Sequence, residues 1–169
     1  MTKAPRARPR SAPCIGIVIQ SPQWKTITSV GASLRRALNA AWPPDREHGE
    51  VAILLTDDDT IRALNRQWRG RDEATNVLSF PSHPVDRGGA APTFLGDIAI
   101  AYGVTAHEAA AEGKPFLQHV THLAVHGFLH LLGYDHESPD DAEIMEGLER
   151  RILAQLGIPD PYSARDAAT

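Results

Sequence analysis

Hydrophobic positions recur along the chain with two periods, and the period changes from segment to segment. CIGIVIQ at Cys14 to Gln20 and EVAILLT at Glu50 to Thr56 are short apolar runs rich in β-branched residues, as expected of strands. Between them Ile27, Val30, Leu34 and Leu38 repeat every three or four residues, which predicts a helix over about Ile27 to Trp42, ended by Pro43 and Pro44. A second helix is expected from Asp57 to about Trp68: three aspartates suit its positive N-terminal end, and Ile61, Leu64 and Trp68 form its apolar side. Two more strands, Thr75 to Phe80 and Phe94 to Ala101, flank PSHPVDRGGAAPT, a loop whose prolines and glycines predict mobility.

The second half reads as helix. Thr105 to Glu112 is closed by Gly113, and Pro115 to about Leu132 by Gly133. The last helix opens on Ser138 as N-cap with Pro139 and Asp141 behind it and ends at Gly157 and Pro159; Ile144, Leu148, Ile152 and Leu156 are its expected core side. The order β-α-β-α-β-β-α-α-α predicts an α+β fold, a small mixed sheet of about four strands packed with several helices.

Composition narrows this. A length of 169 residues and 42% hydrophobic content suit one domain with a genuine core. Cys14 is the single cysteine, so no internal disulfide and no cysteine-only zinc site can form, which fits a reducing, cytoplasmic setting. No apolar run is long enough to span a membrane, and MTKAPRARPRSAP lacks the apolar stretch of a secretory signal. Charge is segregated: the residues before Asp45 carry +7 and the rest −11, for a net −4. This argues against coating nucleic acid with the whole surface and leaves room for a local basic cleft. The expected organisation is a disordered basic tail at 1–13, one domain at 14–162 and a flexible C-terminus at 163–169.

Histidine is where chemistry enters. His119, His122, His126 and His130 step by three or four residues and so form one stripe on a helix. Three successive turns span about 12 Å and cannot converge on one ion, whereas an i, i+4 pair can. His126 and His130 are the better pair, because Gly133 can reverse the chain one turn later and bring His136 to the same ion. His122 then has a core role or supports a ligand, and His119 is read as a surface residue. Three neutral imidazoles leave a tetrahedral position open to water, which is acidified to a pKa of about 7, an arrangement expected of catalytic zinc.

HGFLHLLGYDH at 126 to 136 has the H-x-x-x-H-x-x-G-x-x-H spacing of metzincin peptidases, with Gly127 where those keep a catalytic Glu. Peptide hydrolysis needs that base to activate water and protonate a departing amine. Phosphodiester cleavage asks less, since metal and arginine together can meet the charge on phosphorus. Arg66, Arg69 and Arg71 in NRQWRGRDEATNVLSFP have the planar fork suited to phosphate, and also sit where a helix C-terminus favours cations.

LNRQWRGRDEATNVLSFP at 64 to 81, LGDIAIA at 95 to 101 and HGFLHLLGYDHE at 126 to 137 closely resemble the YbeY family of bacterial rRNA maturation factors, also described as metal-dependent endoribonucleases. The similarity runs from about residue 50 to Tyr162. The resemblance implies a single α+β domain and one zinc-like ion held by His126, His130 and His136, with Arg69 as the functional arginine of the cleft. Its implied substrate is ribosomal RNA, notably the 3′ end of the small-subunit RNA, with the small ribosomal subunit and its assembly proteins as partners. Asp97 and Ser79 match recurrent family residues. Together with Arg71 and His122 they are candidates for holding a ligand histidine or touching RNA, and for Asp97 the expectation is a hydrogen bond to a ligand histidine. Two other readings stay open: a metallopeptidase or other metallohydrolase, and a ribosome assembly factor without catalysis.

Overall fold

The computed structural model describes residues 12–83 and 93–163. All but the last two residues of the basic tail, most of the loop after Phe80 and all but the first residue of the expected flexible C-terminus lie outside them. Four strands, β1 (Cys14–Ile19), β2 (Glu50–Thr56), β3 (Val77–Pro81) and β4 (Phe94–Ala101), form a mixed sheet in the order β1-β2-β4-β3. β1 pairs parallel with β2 and β2 with β4, while β3 runs antiparallel to β4 as an edge strand. Five helices surround it: α1 (Val30–Ala41), α2 (Asp58–Arg69), α3 (Tyr102–Ala111), α4 (Phe116–Leu131) and α5 (Pro139–Gln155). The α+β class and the strand count agree with the sequence.

The two faces of the sheet differ because side chains alternate along each strand. Val51, Ile53 and Leu55 of β2 and Ile98 and Ile100 of β4 join Leu34, Leu38, Val125 and Phe128 in the main core, covered by α1 and α4. Ala99 and Ala101 point to the other face, where they meet Ile61 of α2 and Leu78 in a much smaller cluster. Each large core side chain contributes about 1.5–3 kcal/mol by burial, so α4 is fixed mainly by this packing. That rigidity is what a site on α4 needs.

Several boundaries move. A short 3-10 helix at Pro22–Thr26 precedes α1, buries Trp24 completely and lets its indole N–H donate to the Thr56 carbonyl at 2.8 Å. Ile27 caps it, so α1 begins at Val30. β3 begins at Val77 because Asn76 turns its side chain onto the Val77 amide (2.6 Å) and onto Glu108. α3 starts at Tyr102, directly after β4. Trp68 is not part of a core face: it is 63% exposed, since the small cluster beneath α2 ends before its last turn. Ile144 is likewise exposed; the buried side of α5 is Met145, Glu149, Ile152 and Leu153, with Leu148 and Leu156 packed beside it. The buried stripe takes in an acid, Glu149, that the apolar spacing leaves out.

Candidate metal centre

α4 closes as the sequence implies. Gly133 takes φ +90°, its amide and that of Tyr134 bond back to the His130 and Leu129 carbonyls, and the chain reverses. The reversal brings the His136 ring to 5.1 Å from that of His130 and 5.5 Å from that of His126, centroid to centroid. One ring nitrogen from each of His126, His130 and His136 lies within 4.8 Å of the other two. These three histidines can therefore hold a metal ion.

The protonation pattern agrees. Glu149 is fully buried, and its two carboxylate oxygens face Nδ1 of His126 and Nε2 of His122, each at 2.7 Å. The Tyr162 hydroxyl donates to the same carboxylate. Burial alone would raise the Glu149 pKa, but the hydrogen bonds from His122 and His126 outweigh it and hold the carboxyl down at about 2. An ionised Glu149 keeps the proton of His126 on Nδ1, which leaves Nε2 with a bare lone pair. That Nε2 lies 3.1 Å from Nε2 of His130. Burial first, and then the neighbouring imidazoles of His126 and His136, push His130 down to about 4, so it is neutral at pH 7. That separation also suits a hydrogen bond from Nε2–H of His130 to Nε2 of His126, which a bound ion would replace. Tetrahedral ligation at about 2.0–2.1 Å would set such nitrogens about 3.3 Å apart, and the pair needs little movement to fit.

Arg69 shares this cleft. A cavity of about 540 Å³ is lined by Arg69, Asn76, Ser79, His126, His130 and His136 among others. Arg69 donates to the Ser79 carbonyl at 3.0 Å, on the edge strand, and Ser79 Oγ donates to the Gly127 carbonyl at 3.0 Å. Ser79 thus ties the arginine to the histidine helix without touching a ligand. Arg71 is exposed and lines no part of this cavity, and Arg62 is held by Asp72 at 2.9 Å.

Gly127 faces the sheet. A β-carbon there would meet Ser79 Oγ and Ile98 Cγ2 at 3.0 Å and Val77 Cγ2 at 3.3 Å. A glutamate at 127 would have to displace these side chains, two of which, Val77 and Ser79, also line the histidine cleft.

Two expectations are corrected. Asp97 does not hold a ligand histidine: it pairs across from Phe80 on the face of the sheet opposite α4, and lines a different pocket. The carboxylate that meets His126 is Glu149, which sequence reasoning passed over because acids usually lie outside a helix's apolar stripe. Its signal was there, one charged position between Met145, Ile152 and Leu153. His119 is not on the surface: it is 6% exposed, with Nε2 2.8 Å from Glu108 on the neighbouring α3. His122 meets Glu149, the carboxylate that also meets His126.

Fold and cluster define a class, the α+β proteins whose candidate metal centre takes two histidines from a core helix and a third from the turn after it. Within that class, a family described as Endoribonuclease YbeY matches residues 19–157. Relatives named Endoribonuclease YbeY are 52% identical over 165 residues in Rhodopseudomonas palustris strain HaA2, covering 92% of this chain and 85% of that protein. In Bradyrhizobium diazoefficiens the identity is 52% over 159 residues, covering 90% and 87%. The chain belongs to the YbeY family. The solution structure of TM1509 from Thermotoga maritima shares the fold at 24% identity and a TM-score of 0.52, over 84% of this chain and 91% of that one. Among the described residues no helix is long and apolar enough to cross a membrane.

Proposed function

We propose that this protein is a zinc-dependent endoribonuclease that cleaves single-stranded RNA, acting in ribosomal RNA processing. The observation that carries the reading is that Arg69 and the three-histidine cluster line one cleft. Relatives half identical to the chain bear the endoribonuclease name, which supports RNA as the substrate.

A metal ion held at this site supplies Lewis acidity toward a phosphate oxygen and an attacking water. His126, His130 and His136 are its ligands in this reading, one ion per chain. Glu149 keeps His126 in the tautomer that presents Nε2. Arg69, steadied by the Ser79 carbonyl, offers its remaining N–H groups to the phosphate, where charge grows as the bond to the leaving oxygen breaks. The peptidase reading loses support because position 127 carries no base, and a side chain there would crowd Ser79, Ile98 and Val77. The finer assignments follow the family resemblance: maturation of the small-subunit RNA 3′ end and ribosome quality control, in the cytoplasm, with the small subunit as partner and the basic segment at 1–13 as an appendage of the 14–162 domain.

The test is cleavage of a single-stranded RNA by purified protein loaded with zinc. His126→Ala with His130→Ala abolishes cleavage, and Arg69→Ala lowers kcat about 100-fold or more. Undiminished cleavage by the double variant, with contaminating nucleases removed, sinks the proposal. Chelator-sensitive proteolysis of casein would favour the peptidase.

A further inference from the structure

On the face of the sheet away from α4 lies a pocket that the metal centre does not use. Its volume is about 580 Å³, and Leu64, Trp68 and Phe80 wall it together with Asp97, Arg69 and Ser79. A lone exposed apolar residue needs no explanation. Here, however, the 63% exposed indole of Trp68 stands beside the ring of Phe80, 6.3 Å away at 62°, and the two form an aromatic surface over a cavity. Arg69 and Ser79 line both this pocket and the histidine cleft. The reason is the pleat of β3: Ser79 turns toward α4 and Phe80 toward α2. β3 is an edge strand, so a chain can pass around it from one face to the other.

We propose that this pocket receives an unpaired nucleobase of the RNA strand whose phosphate lies at Arg69, with Trp68 as the stacking platform. The proposal rests on the ribonuclease reading above and adds the subsite that selects single strands. A base is favoured because the aromatic walls match the face of any base, while Asp97 offsets the charge of Arg69, the one cation of the lining. A base inside a duplex keeps its own stacking neighbours and cannot enter, whereas a splayed base can. Arg69, at the junction, holds the phosphate between the base in this pocket and the bond facing the histidines.

The experiment measures binding of a short single-stranded oligodeoxynucleotide to the zinc-loaded full chain. A matched abasic oligomer with the same sugar-phosphate chain is the control, and RNA cleavage is followed in parallel. Trp68→Ala should weaken binding of the base-bearing oligomer roughly 5- to 100-fold and raise KM more than it lowers kcat. Trp68→Phe should keep most of the affinity, and binding of the abasic oligomer should not change. Equal losses for both oligomers, or no loss for either, overturn the proposal. So does a wild-type dimer that Trp68→Ala dissolves while oligonucleotide binding stays intact, since the pocket would then be a contact between copies. The two readings separate cleanly. RNA cleavage with Trp68-independent binding sinks the base pocket alone, and Trp68-dependent binding without cleavage sinks the ribonuclease alone.

Discussion

At the scale of single residues, Gly127 and Glu149 decide what the histidines can do. Gly127 sits where a side chain would collide with Ser79 and Ile98, so restoring the peptidase letter should not restore peptidase chemistry. Gly127→Glu is expected to destabilise the fold by about 3 kcal/mol or more, combining overpacking with a buried charge. Urea unfolding would show the midpoint fall, and no proteolysis should appear. Glu149 acts through His126. Its carboxylate accepts from His126, His122 and Tyr162, so Glu149→Gln puts an amide where three donors converge. Zinc affinity, measured by competition with a chromophoric chelator, should fall about 10- to 100-fold while the folded helix content is kept. An unchanged affinity would mean that His126 is oriented by packing alone.

Elements set the geometry that single residues then use. α4 carries two candidate ligands one turn apart, and the turn at Gly133 delivers the third. Gly133 has φ +90°, and so Gly133→Ala should cost about 1–2 kcal/mol and also weaken zinc binding by displacing His136. Gly113 provides the comparison: it has φ +63° with open space around it, at the end of α3. Gly113→Ala should lower the urea midpoint similarly and leave zinc affinity unchanged. Equal effects on zinc would show that the turn after α4 is not what positions His136. The helix and its stop signal were legible because spacing and glycine are local properties. The true buried side of α5 was not, since it depends on what α4 presents to it, and α4 presents two histidines in need of a carboxylate.

For the whole molecule, the charges that the fold holds in unusual states predict its response to acid. Folding depresses His130 to about 4 from 6.5, chiefly through burial, so between those values the unfolded chain takes up a proton that the folded one refuses. Lowering the pH through this window therefore favours unfolding. Glu149 adds to the same trend further down: its depressed pKa stabilises the fold above 4.5, and that contribution is lost as the pH falls toward 2. Metal-free protein should lose stability as the pH drops from 6.5 to 4, and His130→Gln should flatten that stretch of the curve. Urea midpoints at stepped pH values check this. A flat wild-type profile would contradict the burial of His130.

The sequence by itself determined the α+β class, the four strands, and the histidines able to meet, because these follow from periodicity, from turn residues and from the reach of one helical turn. It also carried the family likeness that singled out Arg69. Tertiary structure decided the rest. Asp97 and Glu149 are both acids in plausible places, but strand alternation sends Asp97 to the far face, while the packing of α5 on α4 brings Glu149 to His126. Trp68 reads as a core residue until the shortness of the cluster beneath α2 leaves it in water beside Phe80. The missing glutamate at Gly127, legible only as an absence in the chain, is a matter of space: the sheet fills the place where its side chain would go.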